Sequence, residues 1–136
     1  MNNTFNIFDG QKIITEYGIS ANVHLAIPNE IEGRPVTSID NWAFYDCRNL
    51  TSISIPDSVT SIGDRAFMQC FSLSSISIPN SITSIGKDAF RLCYSLTSIQ
   101  LPKRFHSESE RKRIGLSSEI KLAEKSVDVS HCESSD

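Results

Sequence analysis

Apolar and polar positions along the chain repeat with a fixed period of 23. Pro56, Pro79 and Pro102 keep that step, and so do Ala43, Ala66 and Ala89; Phe44, Phe67 and Phe90; Cys47, Cys70 and Cys93; Leu50, Leu73 and Leu96; and Ile53, Ile76 and Ile99. Aligning residues 51–73 with 74–96 gives identity at 15 of 23 positions, so the segment is an internal duplication. An earlier copy starts at Ile27 and Pro28. There, Pro28 to Ile39 takes 11 steps where Pro56 to Ile62 takes 6, so that copy carries a five-residue insertion within NEIEGRPVTSI.

Within one unit the pattern predicts three short elements. In LTSISIP, Ile53 and Ile55 alternate with Ser52 and Ser54, the period of a strand with one apolar face, and Pro56 ends the pairing. SVTSI offers Val59 and Ile62 as a second extended edge, and Gly63 supplies freedom for a corner. In DRAFMQC, Asp64 is placed to cap one helical turn that carries Ala66, Phe67 and Cys70 on a single inward face. A unit this small cannot bury its apolar side alone; stacking on its neighbours supplies the core. The expectation is an α/β solenoid whose coils rise by roughly 4.8 Å each.

A short solenoid also needs closed ends, since an end coil exposes core and an open sheet edge. Residues 1–26 read as an N-terminal β cap. Asn6–Phe8 and Gln11–Ile14 flank Asp9-Gly10, a two-residue hairpin signal, and Asn22–Ala26 adds a strand. Residues 27–102 hold the repeats. In residues 103–136, Ser107 followed by Glu110 gives a capping box, Gly115 closes a helix of about two turns over the last coil, and a polar tail follows.

The unit LTSISIPDSVTSIGDRAFMQCFS, with I-P, V-x-x-I-G, A-F and C in this order, resembles the BspA-type class of bacterial leucine-rich repeats over residues 27–102. NEIEGRPVTSIDNWAF is similar to the entry segment of that family. The resemblance implies a right-handed coil of short parallel strands and short helical turns. It also implies protein binding, of the adhesion type found in cell-surface and secreted proteins. MNNTFNIFDGQKII shows no basic-then-apolar export signal, and the repeats are few, so single-partner recognition is the narrower expectation.

Charge and chemistry change this picture little. Thirteen basic and sixteen acidic residues leave a net charge of −3, which gives no electrostatic footprint for nucleic acid, and no apolar run is long enough for a membrane span. The basic residues Lys103, Arg104, Arg111, Lys112 and Arg113 follow Glu108 and Glu110, an order that suits a helix dipole. Cysteines 23 residues apart match no zinc signature and read as a buried thiol ladder, with Cys132 free in the tail. Neither a metal nor a cofactor is expected.

His24, His106, His131 and the many serines assemble into no visible triad, so catalysis is not expected and a serine hydrolase ranks last. The candidate binding residues are the outward strand positions Ser52, Ser54, Ser75, Ser77, Ser98 and Gln100, together with Phe71 and Tyr94. The last two follow periodic cysteines, at the position Arg48 takes one unit earlier. They make either an exposed recognition ladder or a half-buried contact between coils. Thr37/Ser38, Thr60/Ser61 and Thr83/Ser84 form a second polar stripe. The leading function is a protein-binding scaffold, and the alternative is a structural or presentation module of a larger protein.

Overall fold

A computed structural model describes residues 3–5 and 23–123 of the chain. The hairpin expected at Asp9-Gly10 and the tail with Cys132 lie outside the described residues. Strands β1 (Asn3–Phe5), β4 (Arg34–Ile39), β6 (Ser61–Ile62) and β8 (Ser84–Ile85) form one parallel sheet in that order. Ser38, Ser61 and Ser84 lie in register, as do Ile39, Ile62 and Ile85. This is the second extended edge of the unit. The first edge gives β2 (Val23–Ala26) paired with β5 (Leu50–Ser54), then β7 (Ser75–Ser77), β9 (Ser98–Gln100) and β10 (Lys121–Leu122). Here β7 pairs with β9 and β9 with β10, while Ser74 N–H donates to Thr51 O at 3.3 Å between β5 and β7.

The five-residue insertion is a hairpin. β3 (Glu30–Ile31) pairs antiparallel with the start of β4 across a two-residue turn. Both turn residues, Glu32 and Gly33, have positive φ (53° and 80°), the conformation that matches strand twist in a tight hairpin.

The expected helical turn is replaced by an irregular ladder. Ala43, Tyr45 and Cys47 donate back three residues to Asp40, Trp42 and Phe44. The intervening amides of Trp42, Phe44 and Asp46 donate instead to Asp64, Ala66 and Met68 of the next coil. A helix would send every amide back along its own axis; here alternate peptides rotate outward. That rotation places Trp42, Asp46, Arg65, Gln69, Asp88 and Leu92 at positive φ. Such backbone strain in non-glycine residues costs about 1 kcal/mol or more each and is maintained by the bonds between coils.

Asp64 correspondingly caps the next coil and not its own turn. Its backbone N–H donates to Asn41 Oδ1 at 2.8 Å, and its Oδ1 accepts from Lys87 N–H at 2.9 Å. Gly63 serves close approach and not positive φ. A Cβ there would lie 2.8 Å from the Asp40 carbonyl carbon and closer still to Asn41.

The periodic apolar set fills the interior. Ala43, Phe44, Ala66, Phe67, Cys70, Leu50 and Leu73 are fully buried, and no polar or charged residue is buried among those described. The rings of Phe44, Phe67 and Phe90 stack at centroid distances of 5.2 and 5.6 Å, nearly parallel. At the C-terminal end, a 3-10 turn (Lys103–Phe105) leads to α1 (Glu108–Arg113). Ser107 Oγ accepts from Glu110 N–H, as the sequence expects of a capped start, and Gly115 follows at φ 90°.

Candidate binding surface

Alternation along the strands sends Ile53, Ile76 and Ile99 inward and the candidate polar residues outward. Ser54, Ser75 and Ser77 are exposed; Ser52, Ser98 and Gln100 are half-buried. Register places Ser75 opposite Ser98 and Ser77 opposite Gln100, and Ser77 Oγ donates to Gln100 Oε1 at 2.6 Å. Ser98 is partly covered because Lys121 of β10 pairs with it.

Ser52 has a partner one period plus the five-residue insertion away. His24, its register neighbour on β2, brings Nδ1 to 2.6 Å from Ser52 Oγ. A serine and a histidine therefore do meet. The same nitrogen lies 3.4 Å from Thr51 Oγ1, so the contact is shared between two hydroxyls on an exposed strand. A nucleophile needs the base oriented by a third group and donors for an oxyanion. Among the described residues no carboxylate is hydrogen-bonded to the His24 ring.

Two threonines of the second polar stripe bond between coils. Thr60 Oγ1 and Thr83 Oγ1 donate to Thr37 O and Thr60 O, beside backbone bonds to the same carbonyls.

Arg48, Phe71 and Tyr94 form one continuous column, since residues a full coil apart face each other. The Arg48 guanidinium lies 4.9 Å over the Phe71 ring, and Phe71 stacks on Tyr94 at 5.4 Å and 4°. Phe71 is half-buried between its neighbours, whereas Tyr94 is 73% exposed. Arg48 is steadied by Asp46 at 2.8 Å. A parallel column runs from Trp42 to Arg65, 5.3 Å apart, and on to Asp88, 3.8 Å from Arg65. Trp42 is 40% exposed, so this second column presents an aromatic surface of its own beside Arg65.

Cys47, Cys70 and Cys93 are buried and form no disulfide, as a thiol ladder requires. Cys70 Sγ donates to Phe44 O and Cys93 Sγ to Phe67 O, each at 3.1 Å. Burial pushes the Cys47 and Cys93 thiols up to about 12, with the Asp46 charge adding to the effect at Cys47, and it raises Cys70 well above the ordinary value. The thiolate is the nucleophile, so these groups are protonated and inert near neutrality.

In native protein these three thiols will react slowly with a disulfide reagent, and they will react fully on unfolding. Fast native labelling of these three contradicts the ladder. A raised thiol pKa also stabilises the fold only while the group is protonated. That contribution is complete below the ordinary value of 9.0 and is lost as pH climbs toward about 12. Melting temperature measured against pH should therefore decline through that alkaline window.

A hollow beside Tyr94 is bordered by Thr97, Lys112, Ser117 and Glu119. Among the described residues no group of three or more His, Cys, Asp or Glu side chains is placed to hold a metal, and no helix is long and apolar enough to cross a membrane.

The family model of the BspA type leucine rich repeat region matches residues 6–115 in six copies. Three solved structures are similar. The leucine-rich repeat protein of T. pallidum is 36% identical, with a TM-score of 0.58 over 60% of this chain and 38% of that one. A leucine-rich repeat protein of Bacteroides ovatus is 40% identical, with a TM-score of 0.57 over 59% of this chain and 22% of that one. A leucine-rich cell surface protein of Faecalibacterium prausnitzii is 31% identical, with a TM-score of 0.50 over 63% and 27%. The matched region is thus well under half the length of each solved chain. No curated protein matches this sequence.

Proposed function

The chain belongs to the BspA-type leucine-rich repeat family, and from that premise we propose that it is a non-catalytic scaffold that binds another protein through its aromatic flank and polar strand face. The observation that carries this reading is the Arg48–Phe71–Tyr94 column. A 73% exposed tyrosine stacked on a half-buried phenylalanine presents a large amphipathic surface. Ser54, Ser75 and Ser77 add an uncharged hydrogen-bonding face on the neighbouring strands. In this reading residues 27–102 are a right-handed coil, closed by residues 1–26 at one end and 103–136 at the other.

Adhesion at a cell surface is the setting this reading favours. It is supported by the similarity to a solved leucine-rich cell surface protein of Faecalibacterium prausnitzii. A second reading, presentation of a neighbouring domain within a larger protein, is favoured by how little of each solved relative is matched.

A photo-crosslinking residue at position 94 or 75, with position 103 as the control, tests the assigned surface. Binding through the proposed surface gives discrete protein adducts at 94 or 75 and none at 103. Equal adducts at all three positions, or adducts only at 103, overturn the assignment of the surface.

A further inference from the structure

Each coil of the β4–β6–β8 sheet leaves one isoleucine carbonyl for the next coil to use. Ile39 O accepts from Gly63 N–H and Ile62 O accepts from Gly86 N–H, both at 2.8 Å. By period, Ile85 O awaits the amide of a following coil. Strand β8 is the last described strand in its sheet, because the chain one period later runs into α1 and supplies no strand there. Instead Arg113 Nη1 donates to Ile85 O, again at 2.8 Å.

The arginine is fixed for this task. Its Nη2 and Nε donate to Glu110 Oε1 at 2.6 and 3.2 Å, one helical turn earlier. Those bonds hold the Glu110 carboxyl below its ordinary value. The backbone at the same point continues the ladder: Asp88 N–H donates to Arg113 O and Phe90 N–H to Ile114 O, where the preceding coil used Lys87 and Ala89. The polar column of Asn41 and Asp64 ends in Lys87, a side chain without an acceptor for a further amide.

We propose that Arg113 is the terminating residue of the solenoid. Its guanidinium, its charge met by Glu110, stands in for the missing strand's amide at Ile85, and Lys87 puts positive charge on the open edge of β8. The occupant this excludes is a second copy of the chain. Two such ends meeting about a twofold axis would bring β8 against β8 in antiparallel pairing, each edge supplying the backbone groups the other lacks. Arg113 satisfies the acceptor that invites this pairing, and like charges on both copies oppose it.

The test is sedimentation equilibrium of the full chain across a wide concentration range, with far-UV circular dichroism confirming that each variant is folded. Wild type is expected to keep the mass of one chain throughout. Arg113→Met keeps the aliphatic stem but loses the donors and the charge, and is expected to shift with concentration toward the mass of two chains. Arg113→Lys keeps the charge and is expected to remain at one. Should the methionine variant not fold, Arg113→Gln, which also removes the charge and is too short to keep both contacts, must show the same shift. A folded Arg113→Met that stays monomeric overturns the proposal. A lysine variant that associates as strongly overturns it, as does a wild type that is already dimeric.

Discussion

Gly86→Ala should cost about 3 kcal/mol or more of unfolding free energy, although the residue carries no positive φ. The added Cβ would lie 2.6 Å from Asp64 Cα and closer still to the Asp64 amide nitrogen and Oδ1. Two coils would have to separate at the point where Asp64 Oδ1 accepts from Lys87 N–H. The cost therefore joins steric overpacking to the loss of a charge-assisted hydrogen bond. Urea denaturation of the two proteins measures it. Combining the change with Asp64→Ala should not restore stability, because the clashing backbone atoms remain. Full rescue by that second change would show that only the carboxylate was in the way.

Phe67→Ala should cost about 3–5 kcal/mol, the usual range for a phenylalanine truncated inside a packed core. Phe67 is fully buried and is the middle ring of the stack, so truncation removes both ring contacts and leaves a cavity that coils on either side cannot close without moving. Phe71→Ala, four residues away, takes out a half-buried ring on the flank and should cost much less. Thermal melts of the pair give the comparison directly. Equal losses would mean that the inner stack is no better packed than the outer column.

The inward side of each coil was legible in the sequence because burial imposes a period, and Phe44, Phe67, Phe90 and the three cysteines obey it. Stacking of Phe71 on Tyr94 follows from the same spacing, since side chains one coil apart must face each other. The exposure of Tyr94 does not follow, because it depends on what the non-periodic residues after Leu101 cover. The corner was misread for a physical reason. Ala66, Phe67 and Cys70 have helical spacing, but their peptides are turned by bonds to neighbouring coils, and Arg65 and Gln69 carry no local sign of positive φ. His24 and Ser52 are 28 residues apart, one period plus the five-residue insertion, so their meeting follows from the repeat once the insertion is counted. The glycine requirement was visible as a repeat, but its cause, the approach of the preceding coil, was not.

The bonds between coils have one more consequence. Trp42 to Asp64, Thr60 to Thr37 and Gly63 to Ile39 join residues 22, 23 and 24 apart along the chain. Adding a coil lengthens the rod without lengthening any loop that must be closed, so the loop-closure entropy per coil is constant and contact order relative to length falls as copies accumulate. A 23-residue duplication is then an insertion that folding tolerates at any size, which gives gene duplication a direct route to longer rods built on the same plan.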